Sequence, residues 1–187
     1  MSVQSNLQMD KPAFLAWMQG REGRHELADG HVVMMTGGSR GHGRIVRRLA
    51  AASERRLDGE RWEVLTSDFA VDLGPKTIRY PDVVVDRARG AVKDLTATAP
   101  ILIAEVISPS SATDDLGDKA AQYLRLTGLS ACLVLAQDEA KAWVWVRGNA
   151  GFPAGPDVVA GDEASIRIEA LGVEPPLSEI YADIKTS

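Results

Sequence analysis

Between Ile101 and Ser108 the chain reads ILIAEVIS, in which six of eight residues are aliphatic and one, Glu105, is a carboxylate. An apolar run of this length, closed by Ser108-Pro109, reads as a strand buried on both faces near the centre of a sheet. An ionised carboxylate there costs on the order of several kcal/mol unless something compensates it. Either the strand end reaches the sheet rim and water hydrates Glu105, or the chain brings a partner to it. Open α/β sheets bind ligands at the carboxyl ends of central strands, so a metal ligand or catalytic carboxylate is the second possibility. One other isolated acid enters an apolar strand: Asp82 in RYPDVVVD, preceded by Pro81, which suits the first residue of a strand. If the two strands are neighbours, Asp82 and Glu105 converge on one divalent ion. Two carboxylates suit Mg²⁺ or Mn²⁺, hard ions that complete their shell with water and phosphate oxygens. Such an ion activates water and neutralises charge at phosphorus, the chemistry of phosphodiester cleavage.

Composition narrows the alternatives. The 187 residues fit one domain, 1–187, better than two small ones. Hydrophobic and charged shares of 45% and 25% are those of a soluble globular protein. The N-terminus lacks the basic start and apolar core of a secretory signal. No apolar run approaches the roughly 20 residues of a spanning helix, so no membrane association and a cytoplasmic location are expected. The single cysteine, Cys132, lies in the strand-like ACLVLA and reads as a small core residue; with only three histidines, no zinc spacing is present. The net charge of −5 counts against nucleic-acid binding through overall charge, but not against a local basic face.

That face is GSRGHGRIVRRLAAASERRL. As a helix from about Gly43 it sets Ile45, Leu49 and Ala52 on one side and Arg44, Arg48 and Arg55 on the other, with Arg47 nearby. Taken alone, this feature is better explained by a solvated outer face, with Glu54 offsetting part of the charge, than by phosphate contact. Elsewhere, Asp10 and Pro12 start a short helix, and HELADGHVVMMT forms a hairpin at Asp29-Gly30. WEVLTSDFAVDL and TIRYPDVVVD read as two strands joined at Gly74-Pro75. DLGDKAAQYLRLT is a helix with Leu116, Ala120, Tyr123 and Thr127 facing inward and ending at Gly128. ACLVLAQ, KAWVWVRG and SIRIEAL are further strands, and LSEIYADI closes the chain as a helix. The order predicts an α/β or α+β sandwich, a mixed central β-sheet flanked by helices. Trp143 and Trp145 share a strand face, more simply as packing than for base stacking. No Walker sequence, G-x-S-x-G or dinucleotide fingerprint is present.

PD followed 23 residues later by a strand glutamate resembles the PD-(D/E)xK nuclease superfamily. That pattern continues with lysine two residues after the glutamate, where this chain has Ile107. HELADGHVVMM, YPDVVV, EVISPSSATDDLGDKAAQYLRLTGLSACLVLAQ and LSEIYADI together resemble the Uma-two family of restriction-endonuclease-like proteins, over about residues 10–184. There the lysine moves to the following helix in a pattern of S-P-S, D, K and Y, matched by Ser108-Pro109-Ser110, Asp115, Lys119 and Tyr123. The helical spacing puts Lys119 on the flank of the inward stripe, beside Asp115, with which it equally makes an ordinary i, i+4 surface pair.

The resemblance implies a restriction endonuclease-like fold and metal-dependent hydrolysis of DNA. Asp82, Glu105 and the main-chain carbonyl of Val106 would hold Mg²⁺, and Lys119 would orient water and stabilise the transition state. Glu26 would support them, and His42, Arg44, Arg47 and Arg48 would meet nucleic acid. A homodimer follows from the family and from the need to cut two strands. Ile107 and the acidic net charge keep open a catalytically degenerate fold that binds nucleic acid or protein. An enzyme acting on a small phosphoester is a third possibility, for which the arginines between 44 and 48 would be dispensable.

Overall fold

The computed structural model describes residues 3–35, 37–87, 90–108 and 115–184. The run starting at Ile101 is the key to it. It forms β8 (Leu102–Ile107), every residue of which is buried, as is every residue of β9 (Ala131–Ala136). These two strands are parallel, paired from Leu102↔Ala131 to Ile107↔Ala136. Parallel neighbours need a crossover, and that crossover carries a π-helical turn (Asp115–Lys119) leading into α3 (Ala120–Tyr123). The topology thereby returns Lys119 toward the sheet it has just left.

Around this pair stand β4 (Trp62–Thr66), β7 (Val83–Arg87), β10 (Lys141–Val146) and β11 (Asp157–Ala160), giving the order β11-β10-β9-β8-β7-β4. All contacts except β8–β9 are antiparallel, so the sheet is mixed. One face, with Val83, Val85, Ala104 and Leu133, packs on Ile45 and Leu49 of α2 (Arg40–Glu54) and on Leu177 and Ile180 of α4 (Leu177–Ile180). The other, with Val84, Ile103, Ile107 and Cys132, packs on Ala120, Tyr123 and Leu129. A continuous apolar sequence is what a strand covered on both faces requires. Cys132 is the small core residue expected, and burial pushes its thiol pKa up.

A second sheet has the order β1-β3-β2-β6-β5, from β1 (Val3–Gln8), β2 (His25–Ala28), β3 (His31–Met34), β5 (Val71–Asp72) and β6 (Ile78–Arg79). Its core is Phe14 of α1 (Lys11–Met18) with Leu27, Val32, Ala70 and Ile78. Asp10 caps α1, its Oδ1 accepting from Ala13 N–H at 3.0 Å. The β2–β3 hairpin turns at Asp29 and Gly30 with φ of 49° and 89°, as the Asp-Gly pair implies.

Four sequence-based expectations are corrected. WEVLTSDFAVDL and TIRYPDVVVD each divide into two strands that enter different sheets, β4 and β7 in the large one and β5 and β6 in the small one. Pro81, which lacks an N–H, marks the second break, and a turn closed by Phe69 N–H on the Thr66 carbonyl marks the first. SIRIEAL is not a strand: it makes isolated bridges at Ser165 and Ile168 and a short 3₁₀ turn, while still burying Ile166 and Ile168. The helix over Lys119 ends at Tyr123, so Thr127 is exposed rather than inward. The basic helix begins at Arg40 rather than Gly43, because Ser39 Oγ caps it by accepting from His42 N–H at 3.1 Å.

The two aspartates of YPDVVVD part company here. Asp86, 4% exposed, accepts from the N–H groups of Thr98 (2.7 Å), Ala99 (2.8 Å) and Arg87 (2.9 Å), and so fixes the entry into β8. Asp86→Ala removes the acceptor from three partly buried amides; urea unfolding is expected to show a loss of roughly 1–3 kcal/mol. A loss below about 0.5 kcal/mol, typical of a surface change, would contradict that role.

Candidate functional site

The site assembles where β7 begins and β8 ends. Val83 pairs with Ala104, so one step further the register sets Asp82 opposite Glu105. Alternation puts both side chains on the face of Val84 and Ile103, the face under α3. Asp82 is 9% exposed, and its Oδ2 accepts from Val106 N–H at 2.8 Å and from His42 Nε2–H at 3.0 Å. That hydrogen bond raises the His42 pKa above its ordinary value, against the opposing effect of burial. In a strand a residue's N–H and carbonyl lie along the same edge. Ile107 turns its carbonyl to Gln137 beyond β9, whereas Val106 faces Asp82 and β7.

Glu105 is 6% exposed, so the rim hydration that the strand's end allowed is not its compensation. Its Oε1 accepts from Tyr123 O–H at 2.7 Å and lies 3.6 Å from the Lys119 ammonium. Burial pushes its pKa up to about 7; Lys119 opposes the rise, and Asp82 and Glu26 add to it. Tyr123, buried against two carboxylates, has its phenol raised well above the ordinary range and remains a donor.

Glu26, rather than facing solvent from its strand, is 2% exposed. Oε2 accepts from Arg79 Nη1–H at 2.9 Å and Oε1 from Tyr80 N–H at 2.9 Å. The Lys119 ammonium stands 3.6 Å from Glu26 Oε2, the same distance as from Glu105, and so lies between the two carboxylates. The flank position read from helical spacing is thus directed inward; the side chain is 19% exposed. Residues 109–114 of the S-P-S and D pattern, and the Asp115 side chain, lie outside the described residues. Ile107, where the parent pattern has lysine, is 3% exposed and belongs to the core beside Tyr123. A lysine has thus reached the site from the crossover while the strand position serves packing.

The arginines of α2 separate. Arg44 and Arg47 are exposed, whereas Arg48, expected to meet phosphate, donates from Nη2 to Asp183 Oδ2 at 3.0 Å, with Nη1 buried. Its position between Leu49 and the C-terminal segment explains the difference: the guanidinium is used to hold residues 177–184 against α2. Arg55 and Arg56 are likewise engaged by Glu179. Sequence reasoning missed Arg79 and Gln122. Arg79, 7% exposed, donates through Nε to Gln122 Oε1 at 3.0 Å, and Gln122 Nε2 donates to Asp29 Oδ2 at 3.0 Å. The one available signal was a cation three residues ahead of Asp82 in an otherwise apolar strand. Trp145 is buried in the core, and Lys141 lies over the Trp143 ring, so neither is a free stacking surface.

Oδ1 of Asp82 and Oε2 of Glu105 accept no hydrogen bond among the described residues. Two such carboxylate oxygens and the Val106 carbonyl edge fit a hard divalent cation that keeps water in its shell. Among the described residues no three His, Cys, Asp or Glu side chains converge as a complete metal cage, since Glu26 is turned to Arg79 and Tyr80.

The chain is similar to several known proteins. An uncharacterized protein of Synechocystis sp., slr1290, is 28% identical over 174 residues, covering 90% of this chain and 88% of that protein. A second from the same organism, sll1609, is 27% identical over 118 residues, 61% of this chain and 67% of its own. A crystal structure from Anabaena variabilis, described as "a putative nuclease belonging to DUF820", superposes with a TM-score of 0.76 at 13% identity. It covers 93% of this chain and 98% of that one, so the two share a restriction endonuclease-like fold. The Uma2 family model, "Putative restriction endonuclease", matches residues 12–174, and the chain belongs to that nuclease family.

Proposed function

We propose that the protein is a metal-dependent endonuclease that hydrolyses phosphodiester bonds in DNA at the Asp82–Glu105 pair. The observation that carries this reading is the Lys119 ammonium, 3.6 Å from both Glu26 and Glu105, at the open end of the strand that faces Asp82. Asp82, Glu105 and the Val106 carbonyl would hold Mg²⁺ or Mn²⁺, which supplies Lewis acidity and an acidified water. Glu26, fixed by Arg79 and Tyr80 N–H, holds the ammonium in place. Lys119 orients the attacking water and offers positive charge to the phosphoryl oxygens as they gain electron density. His42, on the far side of Asp82, orients that carboxylate and adds a donor toward phosphate. Arg44 and Arg47 supply exposed charge to the backbone of the substrate. Two strands to cut favour a homodimer as the working form.

A second reading has an observation of its own. Every carboxylate of the cluster already has a basic neighbour: His42 for Asp82, Lys119 for Glu105, and Arg79 with Lys119 for Glu26. A site balanced in this way also suits a nuclease fold that has given up catalysis and binds nucleic acid or protein. Calorimetry with Mn²⁺, with and without a short DNA duplex, separates the two. The nuclease reading expects one stoichiometric site in the native chain that Asp82→Asn and Glu105→Gln each abolish; no site even with DNA present refutes it.

With metal and a cleavable substrate, Lys119→Ala is expected to lower kcat by roughly 10²-fold or more while Mn²⁺ still binds. An unchanged kcat would remove Lys119 from the mechanism.

The raised pKa of Glu105 gives a further test. The folded state binds the proton up to about pH 7 and the unfolded state only to about 4.5, so stability falls as pH rises through that window. Above it the buried charge is fully uncompensated by protonation. Glu105→Gln is therefore expected to stabilise the metal-free protein by about 3 kcal/mol at pH 8, with the gain vanishing near pH 4. Equal unfolding free energies of the two proteins at pH 8 would show that Lys119 and Tyr123 already offset the burial.

A further inference from the structure

A cleft of about 370 Å³ lies between α2 and the end of β4, lined by Gly43, Arg47, Ala51, Glu54, Thr66 and Ser67 among others. That is at the small end of the roughly 300–1,000 Å³ that ligand sites occupy. It begins beside the catalytic candidates: Gly43 follows His42, which bonds Asp82, and Thr66 pairs with Val83, the residue after Asp82. Arg24, the residue before β2, donates through Nη2 to the carbonyl of Ser67, which lines the other wall. Its contact with Asp68 spans 3.8 Å, and that carboxylate is 95% exposed, a pair that a phosphate readily replaces. Arg47 on the opposite wall is exposed and engages no acid among the described residues, unlike Arg48, Arg55 and Arg56 on the same helix. Glu54, a further turn and more along α2, puts an opposing charge at the far end and confines an anion to the part nearest Arg47 and Ser67.

We propose that this cleft binds the phosphodiester neighbouring the one presented to Asp82 and Glu105, gripped between Arg47 of α2 and Arg24 ahead of β2. The assignment rests on the nuclease reading and extends it. It fixes the direction in which the strand leaves the site, along α2 toward the edge strand β4. It also names Arg24, which lies outside the basic helix. Arg24 directly precedes β2 of the smaller sheet and Arg47 lies on a helix packed against the larger one, so a strand bound here bridges the two sheets.

The test is binding without turnover: anisotropy of a fluorescein-labelled DNA duplex and of its single strand, in chelator, across a salt series. Arg24→Ala and Arg47→Ala are each expected to weaken binding roughly ten-fold and to reduce the salt slope by about one phosphate contact. Arg167→Ala, an exposed arginine paired with Glu169, serves as the control and is expected to leave both unchanged. Ala51→Glu adds a negative charge to the cleft without touching either arginine, and the same loss is expected from it. Thermal unfolding of each variant verifies that the fold is intact. If the native chain binds and Mn²⁺-dependent cleavage is present, but Arg24→Ala and Arg47→Ala weaken binding no more than Arg167→Ala, the cleft assignment is overturned and the nuclease reading stands. If the native chain binds neither form of DNA at any salt, both are overturned.

Discussion

The placement of Lys119 between Glu26 and Glu105 is the interaction on which the rest of the site depends. Three carboxylates, each 9% exposed or less, gather at one end of two strands, an arrangement that desolvation and mutual repulsion oppose. Three bases answer them: His42 from α2, Arg79 from β6 and Lys119 from the crossover. They arrive from three elements that are far apart in sequence and packed on different sides of the site. The charge balance and the tertiary fold therefore specify one another. Loss of Lys119 leaves Glu105, and loss of His42 leaves Asp82, buried without its basic partner, a penalty larger than the worth of the pair itself.

The route by which lysine reaches the site follows from topology. In the general superfamily pattern the lysine sits two residues beyond the glutamate, on the same strand face. Here that place is Ile107, which packs with Tyr123 and Val134 and completes the apolar layer beneath the crossover. Because β8 and β9 are parallel, the chain must leave the sheet, turn over its face and come back. The turn Asp115–Lys119 of that crossover passes over the end of β8, and Lys119 projects from it. A π-helical turn there is in keeping with the tendency of such turns to mark functional positions. Tyr123, one turn on, fixes Glu105 from the same element, so lysine and carboxylate are held in mutual register by one short segment.

Much of this is legible in the sequence. The lone acid in ILIAEVIS and the PD pair ahead of VVV identify the two strand ends, because an apolar strand tolerates a carboxylate only with a compensating partner. The continuity of the β8 and β9 runs announces a doubly covered sheet, and Asp29-Gly30 and Asp10 announce their turn and cap. Other features have no local signature. Whether Lys119 pairs with its own helix or with a distant strand depends on how the crossover docks, and spacing alone leaves both open. Arg48 reads as an outward basic residue until the C-terminal segment, over 130 positions later, brings Asp183 against it. The division of TIRYPDVVVD between two sheets turns on Tyr80-Pro81, where a prolyl nitrogen ends one ladder and a buried peptide N–H is recruited by Glu26.

That last contact explains why the smaller sheet belongs to the site at all. Glu26 takes Tyr80 N–H and Arg79, which flank the point where the chain passes from β6 toward β7 and Asp82. Arg79 in turn reaches Gln122, and Gln122 reaches Asp29 in the β2–β3 turn, with Thr77 completing the circuit at 3.2 Å. The hairpin, the β6–β7 passage and the crossover helix are thus joined by side-chain hydrogen bonds that run from Glu26 through Arg79 and Gln122 to Asp29. Such a network constrains geometry only when every member is satisfied, since each buried polar group is costly alone and inexpensive together. Glu26 therefore acts through position: it sets where Lys119 stands and where Asp82 begins its strand, and its two oxygens are already used in doing so.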